Sequence, residues 1–269
     1  MRRIGNIRLP LGAAAASLVV LVSWLSAAAA DPMTAAQIRA LVAAAPGGRA
    51  DLSGKDMRGA DLTGLDLSGG TLAGANLAGA RLHGVKLVGT DLTGADLSDA
   101  DLTLAWIMRA NFTLARLRGA TLQTIVTSTG MENTPEQAAI FARADLSGAS
   151  ITVHFSFDDM RGAIFAHSHM TVNIANQSMG MLRTEFVDAL LDGADFTGAG
   201  LGHVSFRFAK LRNARFTGAD LRSADFAGAN LTGADFTGAR ISGASFDSAT
   251  LTDVKGLDLA TAAGDGKSE

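Results

Sequence analysis

Large apolar residues return at every fifth position along two long stretches of this chain. In residues 230 to 252, NLTGADFTGARISGASFDSATLT, they are Leu231, Phe236, Ile241, Phe246 and Leu251. The same register reaches back to Met181, and upstream it runs from Leu52 to Leu122 through Leu62, Leu77 and Leu92. A period of five fits neither a helix, at 3.6, nor a strand, at two. Most units read A-[D/N]-L-[S/T]-G, as in Ala60-Asp61-Leu62-Thr63-Gly64. On an extended backbone the Ala and the central Leu or Phe point to one side and the Asp or Asn between them points to the other. The Ser/Thr-Gly pair then supplies a turn. The pattern predicts one short wall and one corner per unit, stacked into an all-β solenoid with an apolar axis.

From residue 191 onward the central position alternates. Leu or Ile stands at 191, 201, 211, 221, 231, 241 and 251, and Phe at 196, 206, 216, 226, 236 and 246. If a coil holds twenty residues, Phe196, Phe216 and Phe236 form one stack, Phe206, Phe226 and Phe246 another on the opposite wall, and Leu221, Leu231 and Ile241 fill the walls between. Outward positions twenty apart alternate in sign, as in Asp61, Arg81, Asp101; Asp195, Arg215, Asp235; and Asp220, Arg240. That predicts a solvated, self-neutralised surface. Ordering one unit costs about 5 to 10 kcal/mol of backbone entropy, and burying its Leu returns only about 1.5 to 3. A single coil is therefore unstable, and many must stack.

With these repeats the sequence resembles the pentapeptide repeat family. The resemblance implies a right-handed, four-sided β-helix of four units per coil, and a non-enzymatic binding role. Some relatives mimic double-stranded DNA and bind topoisomerases; others pair end to end.

The ends and the middle depart from the repeat. Residues 34 to 45, TAAQIRALVAAA, predict a capping helix over the solenoid's open end. Thr34 and Gln37 are placed for a capping box, Ile38, Leu41 and Val42 share a face, and Pro46-Gly47-Gly48 is the stop. Residues 31–49 thus form a cap and linker, 50–123 the first repeat block and 181–257 the second. The last residues, 258–269, read as a flexible polar tail with no cap, which leaves that end free to pair with a second copy. Between the blocks, residues 124–180 hold a projecting loop and irregular repeats. Thr134, Pro135 and Gln137 predict a short helix through Phe141, and Glu132, Asn133, Thr134, Glu136 and Gln137 form the candidate partner surface. The register resumes at Leu146 and Ile151, slips to Met160, Phe165 and Met170, and slips back by Met181.

Composition adds a location. The first thirty residues hold three arginines and no acid, then an apolar run from Leu9 to Leu25, then Ala28, Ala29 and Ala30. This predicts an export signal cut after Ala30, with an uncleaved anchor as the rival reading. The expected home is the periplasm or the exterior, with no membrane contact after cleavage. The remainder carries 20 basic against 26 acidic residues, which argues against nucleic-acid binding through phosphates. There is no cysteine, which excludes disulfides, zinc thiolates and cysteine nucleophiles.

The catalytic inventory is thin. Asp recurs as a column, Ser and Thr occupy turns, and no His sits in a nucleophile or metalloprotease motif. His154, His167, His169 and Met170 are weak candidates for copper, since His and Met both suit that metal, but their spacing does not form a motif. No cofactor and no catalytic residue is expected. The sequence points to an exported, non-enzymatic scaffold that binds an unidentified protein. A DNA mimic and a His/Met copper binder are the alternatives.

Overall fold

The structure is a computed structural model that describes residues 31–130, 133–170 and 183–262. The predicted export segment, Glu132 and Met181 lie outside these residues.

Successive coils pair in parallel along four columns. These begin at Asp51 (first wall), Asp56 (second), Asp61 (third) and Asp66 (fourth), each meeting the residue twenty further on. Every wall is about one residue wide because Gly or a substitute turns the chain before a second ladder bond can form. The bonding at Phe216 is representative. Its N–H donates to the Asp235 carbonyl at 2.7 Å, and its carbonyl accepts from Ala219 N–H at 3.0 Å, closing the corner. Among the described residues only two segments pair over three residues, β1 (Thr121–Gln123) and β2 (Ser150–Thr152).

The lumen is filled as the period requires. Leu62, Leu77 and Leu92 are fully buried, as are Phe196, Phe206, Phe216, Leu221, Phe226, Leu231 and Phe236; Ile241 is buried and Phe246, near the end, half-buried. The rings form two stacks. Phe196, Phe216 and Phe236 lie 5.1 and 4.8 Å apart, and Phe206, Phe226 and Phe246 lie 4.9 and 5.1 Å apart. Across the axis the stacks meet edge to face, as Phe206 and Phe216 do at 5.7 Å and 81°. Phe216 and Phe226 thus each have a parallel neighbour above and below and perpendicular ones across the axis, two favoured quadrupole arrangements at once.

The outward acids do more than neutralise the arginines. Asp195 Oδ1 accepts from the backbone N–H of Thr197 at 2.9 Å and from its hydroxyl, and the same turn recurs at Asp51, Asp91, Asp145 and Asp235. Each of these outward acids therefore fixes the corner that follows it. Asp220 also receives Arg222 at 2.8 Å and Arg240, one coil on, at 2.5 Å. These bonds, Arg222 foremost, hold its carboxyl at about 2. Because the folded value lies below the unfolded one of about 3.9, the stabilisation is present above about pH 4 and is lost as the pH falls through 2. Melting temperatures between pH 5 and 2 should fall more steeply for the wild type than for Asp220→Asn. Equal slopes would show that these bonds add no stability.

Both ends are covered. Helix α1 (Ala35–Ala44) carries the capping box, with Gln37 N–H on Thr34 Oγ1 at 3.3 Å and Thr34 N–H on Gln37 Oε1 at 2.8 Å. It lies against the first coil through buried Ile38 and through Arg39, whose Nη2 donates to the Asp61 carbonyl at 3.2 Å. Leu41, expected on the buried face, is exposed. At the other end the expected uncapped tail is corrected for its first residues. A four-residue helix, α2 (Leu259–Ala262), folds back, nucleated by Asp258, whose carboxylate accepts from Ala260 N–H and Thr261 Oγ1, both at 3.0 Å. Buried Ala262 accepts from Gly243 N–H at 3.0 Å, and Leu257 packs on the core. The tail reads as polar only if Leu257, Leu259 and the alanines are discounted.

The middle keeps the ladder by changing the spacing at corners. Asn111 meets Ile140, 29 residues on; Ile140 meets Asp159, 19 on; His154 meets Glu185, 31 on. The repeat resumes at Ile140 and Phe141, one unit before Leu146. Phe141 is fully buried and stacks on Phe112 at 4.5 Å. The expected helix through Phe141 is instead a single 3-10 turn, Pro135–Gln137, with no side-chain cap from Thr134. The lumen's demand for a ring above Phe112 outweighs helix continuation.

Candidate functional site: the interrupted edge

The added residues between Val126 and Ile140 leave from the edge joining the fourth wall to the first. Val126 and His154 occupy neighbouring coils of the fourth wall, yet they do not pair, although the adjacent third-wall residues do so through β1 and β2. This is the one interior break in the ladder among the described residues. It opens a cavity of about 270 Å³ lined by Thr124, Val126, Thr127, Thr152, His154 and Arg183, among others.

The loop is stitched to the break by its own side chains. Asn133 Nδ2 donates to the His154 carbonyl at 2.8 Å, and Asn133 Oδ1 accepts from Thr127 Oγ1 at 3.1 Å. Gln137 Nε2 donates to Thr129 Oγ1 at 2.7 Å. Asn133 and Gln137, expected on a partner surface, are therefore half-buried and engaged in holding the loop, while Thr134 and Glu136 are exposed. Amides placed near a ladder gap satisfy backbone groups that would otherwise be orphaned, and that requirement decides where they turn.

Below the loop's last residue lies a buried acid that the sequence reading missed. Asp158 occupies the inward position that Ala fills in most units. It is 3% exposed, its Oδ1 accepts from Ala139 N–H at 2.7 Å, and its Oδ2 has no partner. Burial pushes its carboxyl well above the usual carboxylate range. The signal was available: Asp158-Asp159 places two acids where one inward Ala is the rule.

The metal candidates are dispersed. His154 is exposed on the fourth wall, His169 is exposed on the third, His167 turns a corner with φ 57°, and Met170 is buried in the lumen. Among the described residues no group of three or more His, Cys, Asp and Glu could hold a metal ion. The arrangement offers a shaped, hydroxyl-lined edge and exposed apolar side chains, which suits binding.

Comparison with known proteins agrees with this architecture. A scan of protein families matches pentapeptide repeats, eight copies, over residues 48–77, 75–113, 87–123, 189–226 and 214–253, together just over half of the chain. A search of curated sequences found no match. Among solved structures the chain is similar to HetL, a pentapeptide repeat protein involved in heterocyst differentiation regulation from the cyanobacterium Nostoc sp. strain PCC 7120. Identity is 25%, coverage 83% of this chain and 94% of that one, and the TM-score 0.58. QnrB1, a plasmid-mediated fluoroquinolone resistance protein, aligns at 19% identity over 71% of this chain and 91% of that one, with a TM-score of 0.37. Rfr23 from the cyanobacterium Cyanothece 51142 aligns at 19% over 63% and 86%, with a TM-score of 0.28. On its repeats, its stacked lumen and the family match over just over half of its length, the chain belongs to the pentapeptide repeat family.

Proposed function

We propose that this chain is an exported, non-enzymatic scaffold, a right-handed four-sided solenoid whose walls and projecting loop present a binding surface to another protein in the periplasm or outside the cell. The carrying observation is the break in the ladder between Val126 and His154, where a loop is fastened onto the solenoid by the Asn133 amide on the His154 carbonyl and by the Gln137 carbonyl on Arg109 N–H. A tolerated insertion has no need of such fastening, whereas a recognition element gains affinity from being held in shape before it binds. The likeness to HetL, a protein involved in heterocyst differentiation regulation, fits a role exerted by contact. The DNA-mimic alternative is weakened by arginines interleaved in the Asp columns, where Arg81 and Arg240 reach Asp61 and Asp220.

Crosslinking and capture from a periplasmic fraction tests the loop. The control deletes residues 131 to 139, which restores five-residue spacing between Val126 and Ile140 and spares Phe141. Loss of a reproducibly captured protein in the deletion variant is expected. Capture of the same protein by both forms would remove the loop from the binding surface.

A further inference from the structure

Most corners of the solenoid are closed by the same bond. The inward Ala that begins a wall donates its N–H to the carbonyl three residues earlier, as Ala219 does to Phe216 and Ala144 to Phe141, both at 3.0 Å. Ala139 begins the first wall directly after the loop, and its N–H makes no bond to Glu136, three residues earlier. The Asp158 carboxyl, one coil on, takes it instead at 2.7 Å. An inward Asp stands here because the loop's return leaves an interior amide with no carbonyl to meet.

Asp158 is the one buried ionisable side chain among the described residues, and its Oδ2 has no partner. A buried carboxyl with one oxygen unmet is tolerated when protonated and costly when ionised. No neighbouring charge offsets that cost. On the elements around it His154 and Asp159 point outward, the latter onto Arg161; Arg143 and Asp188 turn corners; and Glu136 is exposed in the loop. Burial, which raises its carboxyl, and the Ala139 bond, which lowers it, are what act on its titration. The backbone around Asp158 is unevenly secured. Its own N–H closes on the Phe155 carbonyl and Ala189 N–H, in the coil above, closes on Phe186, both at 3.2 Å, whereas the corner at Ala139 lacks a closing bond of its own. An ionised Asp158 therefore gains water at least cost by opening Ala139.

We propose that Asp158 is a proton-controlled latch on the loop: protonated, it closes the return corner through Ala139; ionised, its proton passing to solvent, it admits water there and releases residues 133–139 from the first wall. The proposal rests on the loop as the recognition element and adds its regulation, a loop that loosens as the pH rises.

Hydrogen exchange of the purified chain tests the latch, read by mass spectrometry on fragments covering residues 133–141 and 211–221 and corrected for the intrinsic rate at each pH. Above about pH 4 the loop fragment should lose about tenfold in protection per pH unit until the folded value of Asp158 is passed. It should also exchange ahead of the second fragment, which opens only with the whole fold. Asp158→Asn should remove the slope and keep the protection seen in acid. Asp158→Ala restores the usual inward residue but leaves Ala139 N–H without an acceptor, so its loop fragment should be poorly protected at every pH. Exchange of the two fragments together would show that only the whole fold opens. A slope that survives Asp158→Asn would assign the control to another group, such as His154, and full protection in Asp158→Ala would show that Asp158 holds nothing. Each of these results overturns the proposal. No partner is present, so the outcome is separable from that of the loop deletion.

Discussion

Leu221→Asp should leave no folded protein. Leu221 is fully buried on the third wall, its N–H bonded to the Arg240 carbonyl at 2.8 Å, so its side chain has nowhere to turn but the axis. An unpaired carboxylate there costs several kcal/mol. Protonation spares that cost but still forfeits the Leu burial of about 1.5 to 3 kcal/mol and leaves a carboxyl without partners. Against a net stability of about 5 to 15 kcal/mol, in a solenoid where each coil is the floor of the next, the loss spreads to its neighbours. Far-UV circular dichroism and thermal melting should show a chain without a cooperative transition, while Leu221→Ile keeps one. Unchanged melting in the Asp variant would mean that the inward face has been misassigned.

Asp158→Asn should stabilise the protein at neutral pH and flatten its pH dependence. The folded value of Asp158 is raised by burial, so its contribution is most favourable below the unfolded value of about 3.9. As the pH rises above that, the unfolded chain ionises while the folded one does not. Each pH unit then costs about 1.4 kcal/mol until the raised folded value is passed. Asn keeps an acceptor for Ala139 N–H and never ionises. The two proteins should melt together near pH 4 and diverge as the pH rises above it, with the variant higher. Parallel curves would show that water reaches Asp158 in solution.

The walls, the axis and the aromatic stacks were legible because one short rule repeats, and every repetition tests it again. Phe196, Phe216 and Phe236 had to stack once a coil was set at twenty residues. The middle was harder to read, because there the rule yields to counts that only the three-dimensional ladder reveals. Phe141 looked like the end of a helix until Phe112 required a partner above it. Asn133 and Gln137 looked like surface because nothing local says that His154 and Thr129 lie within reach. The outward apolar residues had a signal: Ile140 and Leu190 sit where Asp or Asn belongs, but only after the 29-residue and 31-residue steps have been placed.

Trp106 gives the fourth wall an optical property. The chain has no tyrosine and two tryptophans, and the other, Trp24, belongs to the first thirty residues. Trp106 is partly exposed beneath Val126, with Lys86 Nζ 5.8 Å from its ring. A chain lacking the first thirty residues therefore carries a single tryptophan, next to the broken seam, whose emission wavelength and quenching would report occupancy of that region without any attached dye.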